Sequence, residues 1–479
     1  MKPNILFAVA DDASHFSACG HRFLNSPAFD RVAREGILFT GAFTTNPKCA
    51  PSRAGILTGR HTWQNRECCL HWNYWPENLE VYPDLLERAG YHIGFTGKPW
   101  APGNWSRCGR TRNPAGPEYN SRKLSPPEGS LISDTDYAAN FKEFLETKPE
   151  GMPFHFWYGG REPHRPYSPG EGKRNGKPPT AEIPVPPYWP DEQQVREDLN
   201  DYAFEIEWFD RHLGIMLNIL EDRGELENTL VVVTSDNGAP FPRVKGQMYE
   251  DDFRLPFAVM WNGKISPGRR VDDLISFIDI APTFLEAAGV PIPDSVTGKS
   301  LFDIFNTPGS GRATEHRNRV YMGRERHDMG REGDLGYPVR CVRTPEYLYV
   351  RNFAPDRWPA GNPETGFTNC DSSPVKSRIL ELEKSGENTF YYEKCFGKRP
   401  PEELYDIKED PSCMKNLADN PEFASLKRDL WTDLKDKLEE TGDPRIFGNG
   451  DIFESYEYAN HAPHSWAHYL AGDWEPQKY

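Results

Sequence analysis

The chain has 479 residues, more than a single hydrophobic core usually organises, so two domains of unequal size are expected. Its formal net charge of −16 repels nucleic-acid phosphates and anionic bilayers, and no apolar run reaches the roughly 20 residues a membrane span needs. An aromatic share of 13% fits a packed, loop-rich enzyme rather than a disordered or fibrous chain, and any anionic substrate must then meet a local basic pocket.

The opening MKPNILFAVADD turns acidic before it can serve as the apolar core of a signal. A start two residues ahead of a strand suggests a leader trimmed away, so a periplasmic or secreted home is expected, with the cytoplasm still open. Residues 4–10, NILFAVA, form a short continuous apolar run suited to a strand buried on both faces of a parallel sheet. Residues 28–35 carry helical spacing, ILFTGAFT is strand-like, residues 83–89 read as a helix and YHIGFTGK as the next strand. MPFHFWYGG and TLVVVTSDNG are two further strands, separated by a proline-rich stretch at 178–190 and an amphipathic helix over about 192–223. Each strand runs directly into a polar cluster. In open α/β sheets such clusters meet in a crevice beyond the carboxyl ends of the strands.

From about residue 336 the pattern changes to short strands (PVRCVRT, EYLYVRN, EELYDIKED), Gly/Pro-rich loops and a charged helix at 421–440. The expectation is a large domain over 1–335 and a smaller α+β domain over 336–479. Nine cysteines are present, none in a CxxC knuckle. A Cys370–Cys395 disulfide and a set of free thiols are both open.

Residues 49–60 read CAPSRAGILTGR. The segment resembles the C-x-P-S-R-x-x-x-L-T-G-R signature of type I sulfatases, whose cysteine is oxidised to formylglycine by a dedicated maturase. Further family motifs follow the same order: DD near the start, TGK, PHRPY, SDNG, KGQMYEDDFRLP, IDIAPTFLEAAG and the C-terminal ELYDIKEDP. Within the sulfatases the likeness is to the heparan N-sulfatase (sulfamidase) type. It implies the fold of the alkaline phosphatase superfamily: a mixed, mostly parallel sheet flanked by helices, with a smaller C-terminal domain carrying an antiparallel sheet and roofing the site.

The chemistry explains the residue types. Sulfur in a sulfate monoester is shielded by anionic oxygens, so the nucleophile must be strong and held beside positive charge. A hydrated aldehyde at position 49 offers one hydroxyl to attack sulfur and a second whose proton loss expels sulfate. The resemblance assigns Asp11, Asp12, Asp236 and Asn237, with residue 49, to one Ca²⁺, a hard ion that takes six or more oxygens. It assigns Arg53 to the hydrated aldehyde and the metal-site carboxylates, and Lys98 and Lys245 to the sulfate oxygens. His164, with Lys245, is the candidate proton donor to the leaving atom.

One position departs from the family. Many sulfatases read GK-x-H after the active-site lysine, whereas this chain reads Gly97-Lys98-Pro99-Trp100. His71 and His15 are possible substitutes. The loop that follows carries Arg107, Arg110 and Arg112 among Trp100 and Trp105, a composition suited to an anionic, sulfated glycan or else to a solvated loop. The expected substrate is thus a sulfated carbohydrate carrying an ester or sulfamate. Two alternatives stand beside it: a phosphomonoester or phosphonate hydrolase of the same superfamily, and a catalytically impaired glycan-binding homologue.

Overall fold

A computed structural model describes residues 2–177 and 183–475. Part of the proline-rich stretch, 178–182, lies outside the described residues. Among the described residues thirteen strands occur, in chain order β1 (Asn4–Ala10), β2 (Ile37–Phe43), β3 (Asn73–Tyr74), β4 (His92–Gly97), β5 (Gly103–Asn104), β6 (Phe154–Gly159), β7 (Thr229–Ser235), β8 (Phe257–Met260), β9 (Arg269–Ser276), β10 (Val320–Arg324), β11 (Val339–Arg343), β12 (Tyr347–Asn352) and β13 (Glu402–Asp406).

Seven of them form the main sheet in the order β4-β6-β1-β7-β8-β2-β9. Only β8 runs antiparallel to its neighbours. The apolar runs read from the sequence are continuous because both faces are covered. Leu6, Ala8 and Ala10 of β1 point to one face, packed with helices Pro27–Glu35, Tyr137–Thr147 and Gln193–Asp222. Ile5, Phe7 and Val9 point to the other, with helices Cys49–Thr58, Tyr82–Arg88 and Ile280–Ala287. The Phe7 ring meets Trp157 at 4.9 Å and Phe284 at 5.3 Å between centroids. Such edge-on aromatic pairs add about 0.5–1.5 kcal/mol each beyond the apolar area they bury.

β10 to β13 form a separate antiparallel sheet. Its first strand, β10, precedes residue 336, so this sheet draws on chain ahead of the division expected from composition. Helix Ala424–Glu440 covers one face, laying Leu430, Leu434 and Leu438 on Val342, Tyr349 and Leu404. The other face carries Met322, Val339 and Leu348, which pack with Phe43, Met248 and Phe253 of the larger unit. All nine cysteines are free thiols, which corrects the Cys370–Cys395 disulfide alternative.

One buried charge ties the smaller sheet to the chain beyond its helix. Arg340 donates to Glu325 at 2.7 Å and to Asp443 at 2.8 Å, with none of the three side chains exposed. Removing the cation leaves buried Asp443 without a charged partner and Glu325 with Arg445 alone. Arg340→Ala is therefore expected to cost about 3–5 kcal/mol and to lower the thermal unfolding midpoint, measured by circular dichroism.

Candidate active site

Four parallel neighbours, β4, β6, β1 and β7, end on the same edge of the sheet. Asp11 and Asp12 follow β1, Lys98 follows β4, His164 lies five residues past β6, and Asp236 and Asn237 follow β7. Asp12 takes a left-handed conformation, φ 73°, which aspartate tolerates better than most residues. This bend is held by its own N–H on Asp236 Oδ1 at 3.1 Å and by the Tyr202 hydroxyl on its carbonyl at 2.9 Å. Asn237 Nδ2 donates to Asp12 Oδ1 at 2.7 Å. Oxygens of Asp11, Asp12 and Asp236 lie within 4.8 Å of one another.

The signature segment is a wholly buried helix, Cys49–Thr58. Cys49 is its first residue, and Pro51 sits in the first turn, where a missing N–H costs nothing. The Cys49 Sγ lies 3.8 Å from Asp12 Oδ1. One turn on, Arg53 shares the face of Cys49 and donates through Nε to Asp236 at 2.7 Å. Its NH2 stands 3.6 Å from Asp11. Ser52 donates to the carbonyl of Asp236 at 2.6 Å. Gly55 passes Thr45 so closely that a Cβ would stand 2.5 Å from its methyl, and Gly59, φ 66°, closes the helix in the left-handed form. Pro51, Ser52, Arg53 and Gly59 of the signature thus each have a packing or bonding reason.

Lys98 donates to Asp11 at 2.5 Å. Lys245 bridges Asp12 at 2.7 Å and Asp371 at 2.9 Å. Although both ammonium groups are buried, Asp11 for Lys98 and Asp12 with Asp371 for Lys245 raise their pKa values, so both remain charged. Burial lifts Asp11 to about 7 against the pull of Lys98. For Asp236 burial acts in the same direction, but Arg53 and Lys98 prevail and hold it below the usual carboxylate range. Burial likewise pushes the Cys49 thiol up, opposed by Lys98. His164 donates from Nδ1 to the Arg165 carbonyl at 2.6 Å, which turns Nε2 toward Asp12 Oδ2 at 4.0 Å. Burial and Lys245 lower its pKa to about 4.

A cleft of about 580 Å³ opens above these residues, lined by Asp11, Lys98, His164 and His71 among others. The other sequence candidates for substrate contact are not on its wall. Trp100 is 1% exposed, packed edge-on against Trp75 at 5.0 Å and beneath Gly103, so it is core rather than a sugar platform. Arg107 pairs with Glu457, Arg110 with Asp84, and Arg112 with Asp84 and Glu87. Neutralised by neighbouring acids, these guanidiniums do not make the expected anion subsite. His15 stacks on His21, 3.7 Å between centroids, beside a different and smaller cavity. Sequence reasoning missed Lys48, Asp328 and Asp371, which support the site from behind, and Trp72, which is half-buried on the cleft wall. Lys48 beside Cys49 was the only one with a positional signal.

Comparison with known proteins agrees with this geometry. The family model described as Sulfatase matches residues 3–290, and that described as N-sulphoglucosamine sulphohydrolase, C-terminal, matches residues 244–356. An ulvan-active sulfatase of Formosa agariphila is 28% identical over 450 residues, covering 92% of this chain and 81% of the relative. The human N-sulphoglucosamine sulphohydrolase is 27% identical over 500 residues, covering 94% and 93%. A protein solved in complex with its substrate D-glucosamine-2-N,6-O-disulfate shares the fold at TM-score 0.67 and 21% identity, over 92% of this chain and 99% of that one. With a matching model over more than half its length, the chain belongs to the sulfatase family.

Proposed function

We infer that this sulfatase hydrolyses the sulfate esters or sulfamates of a carbohydrate, with residue 49 as formylglycine beside one calcium ion. The observation that carries this reading is the meeting of Cys49 with three buried aspartates, one arginine and two lysines beside a single cleft, which Asp11 and Lys98 line. The names of two relatives specify ulvan and N-sulphoglucosamine, which supports a sulfated carbohydrate here as well.

The oxygen set fits a hard divalent cation. Asp11, Asp12, Asp236 and Asn237 would hold it, and Asp11 Oδ1 and Asn237 Oδ1 are buried without a hydrogen-bond donor. When bound, the ion supplies positive charge against which a hydroxyl of residue 49 and a sulfate oxygen are held. Unmodified Cys49 is a poor nucleophile, because burial keeps its thiol protonated. A hydrated aldehyde there supplies both the attacking hydroxyl and the second one that sulfate release requires.

Lys98 and Lys245 bind the sulfate oxygens and neutralise charge that grows in the transition state. His164 is neutral before substrate arrives. An anionic ester beside Nε2 favours its protonated form, so His164, with Lys245, delivers the proton to the leaving atom. Asp371, holding Lys245, supports a role for the smaller domain, 336–479, in bordering the site, with 1–335 as the catalytic domain. A formylglycine-generating or anaerobic maturase is the partner this chemistry requires. A periplasmic or secreted location suits a polysaccharide substrate, and among the described residues no helix is long and apolar enough to cross a membrane.

Four measurements test the reading. In protein matured in a competent host, mass spectrometry of the peptide containing residue 49 should show sulfur lost and an aldehyde gained. Cys49→Ala should reduce turnover by about 10³-fold or more. An aryl sulfate should be hydrolysed far faster than the matching aryl phosphate, because two lysines rather than a second metal surround the anion; the reverse order favours the phosphoester alternative. After chelation, returning Ca²⁺ at about a hundredfold its Kd should add about 2.7 kcal/mol of stability, read as a rise in the unfolding midpoint, and Asp12→Asn should abolish most of that rise.

A further inference from the structure

His71 is buried, yet its ring forms part of the cleft wall on which Asp11, Lys98 and His164 also lie. Its Nδ1 is 2.8 Å from Asp328 Oδ1. Burial holds the Asp328 carboxyl up in principle, but His71 and Lys48 bring it well below its ordinary range, so it is a carboxylate and can only accept. The proton therefore sits on Nδ1. Asp328 is fixed in turn by the Tyr458 hydroxyl at 3.2 Å and by Lys48 Nζ at 3.3 Å. Burial lowers the His71 pKa to about 4, so the ring is neutral and Nε2 bears a lone pair. That Nε2 has no partner in the protein. An unmet buried acceptor is costly unless something arriving in the cleft satisfies it. Trp72, the next residue, is half-buried on the same wall and offers an indole surface.

We propose that the His71–Asp328 pair reads a free hydroxyl or N–H of the sugar beside the scissile sulfate, and excludes a second sulfate at that position. This rests on the sulfatase reading above and deepens it by specifying the substrate class. The discrimination follows from the tautomer. Nε2 accepts from a sugar hydroxyl but repels a sulfate oxygen, which has no proton to give. Asp328 is the positioning residue, since it sets which ring nitrogen carries the proton.

The test compares a sulfated monosaccharide, its deoxy analogues at each neighbouring carbon, the analogue sulfated there instead, and an aryl sulfate. For the wild type, one deoxy analogue and the matching sulfated analogue should each lose about ten- to about a hundredfold in kcat/KM. His71→Leu should lose a similar factor on the parent sugar and nothing further on that deoxy analogue. Its loss on the aryl sulfate should be at least about tenfold smaller. His71→Gln should recover part of the loss, because an amide oxygen also accepts, and serves if the leucine variant does not fold. Asp328→Asn should weaken the same hydroxyl dependence mainly through KM. Equal losses for His71→Leu on every analogue, or no hydroxyl dependence in the wild type, would overturn the proposal. Calorimetric binding of the parent and deoxy sugars to Cys49→Ala protein reads the hydroxyl without turnover, so failure of the hydrolysis reading remains distinguishable from failure of this one.

Discussion

The site depends on Arg53, whose guanidinium pairs with Asp236 at 2.7 Å while neither side chain is exposed. Three aspartates gathered in a dry interior would repel one another by several kcal/mol without compensation. Arg53, Lys98 and Lys245 provide that compensation, and Asp371 balances Lys245 on its far side. Four carboxylates against three fixed cations leave one negative charge in excess. With a divalent cation bound the sign reverses, so the floor of the cleft attracts an anionic ester although the chain as a whole carries a net charge of −16. Burial is the main cause of the rise of Asp11 to about 7, and the charges of Asp236 and Asp12 beside it add to it.

Much of this was legible in the sequence because two kinds of pattern coincide. Buried parallel strands must be apolar throughout, and the polar residues that follow them must share one edge, so NILFAVA-DD and TLVVVTS-DN announced both the sheet and the acids. The helix bearing Cys49 was readable for a different reason: a proline in its first turn, two tight glycines and an arginine one turn from the cysteine leave few other sequences for that geometry. β8, four residues long, lacked the length to stand out, and β9, with its exposed arginine and aspartate, did not read as a buried strand.

What the sequence hid are partnerships between distant residues. Asp328 meets His71 across 257 positions, and nothing near either one signals the other. The tryptophans and arginines after Lys98 misled in the opposite direction, since composition does not reveal whether a ring faces a cleft or a core. In a chain with excess acid, a run of arginines finds carboxylates first, here Asp84 and Glu87 of the helix Tyr82–Arg88. The nearby Trp72 has no arginine beside it and yet lies on the wall.

The departure at Trp100 acquires a physical meaning from the same contacts. Arg53 donates to the carbonyls of Lys98 at 2.6 Å and Pro99 at 2.9 Å, and Asn113 to that of Trp100 at 2.9 Å. Gly97, φ 77°, approaches Gly159 so closely that a Cβ would lie 1.9 Å from its carbonyl oxygen. The path of the chain through Lys98 is therefore set by backbone bonds and by a glycine, and the lysine is aimed without help from a side chain at position 100. That position is free to be an anchor in the core, and the indole fills it. The cleft wall itself carries two other imidazoles, His164 and His71, the second neutral and oriented by a carboxylate.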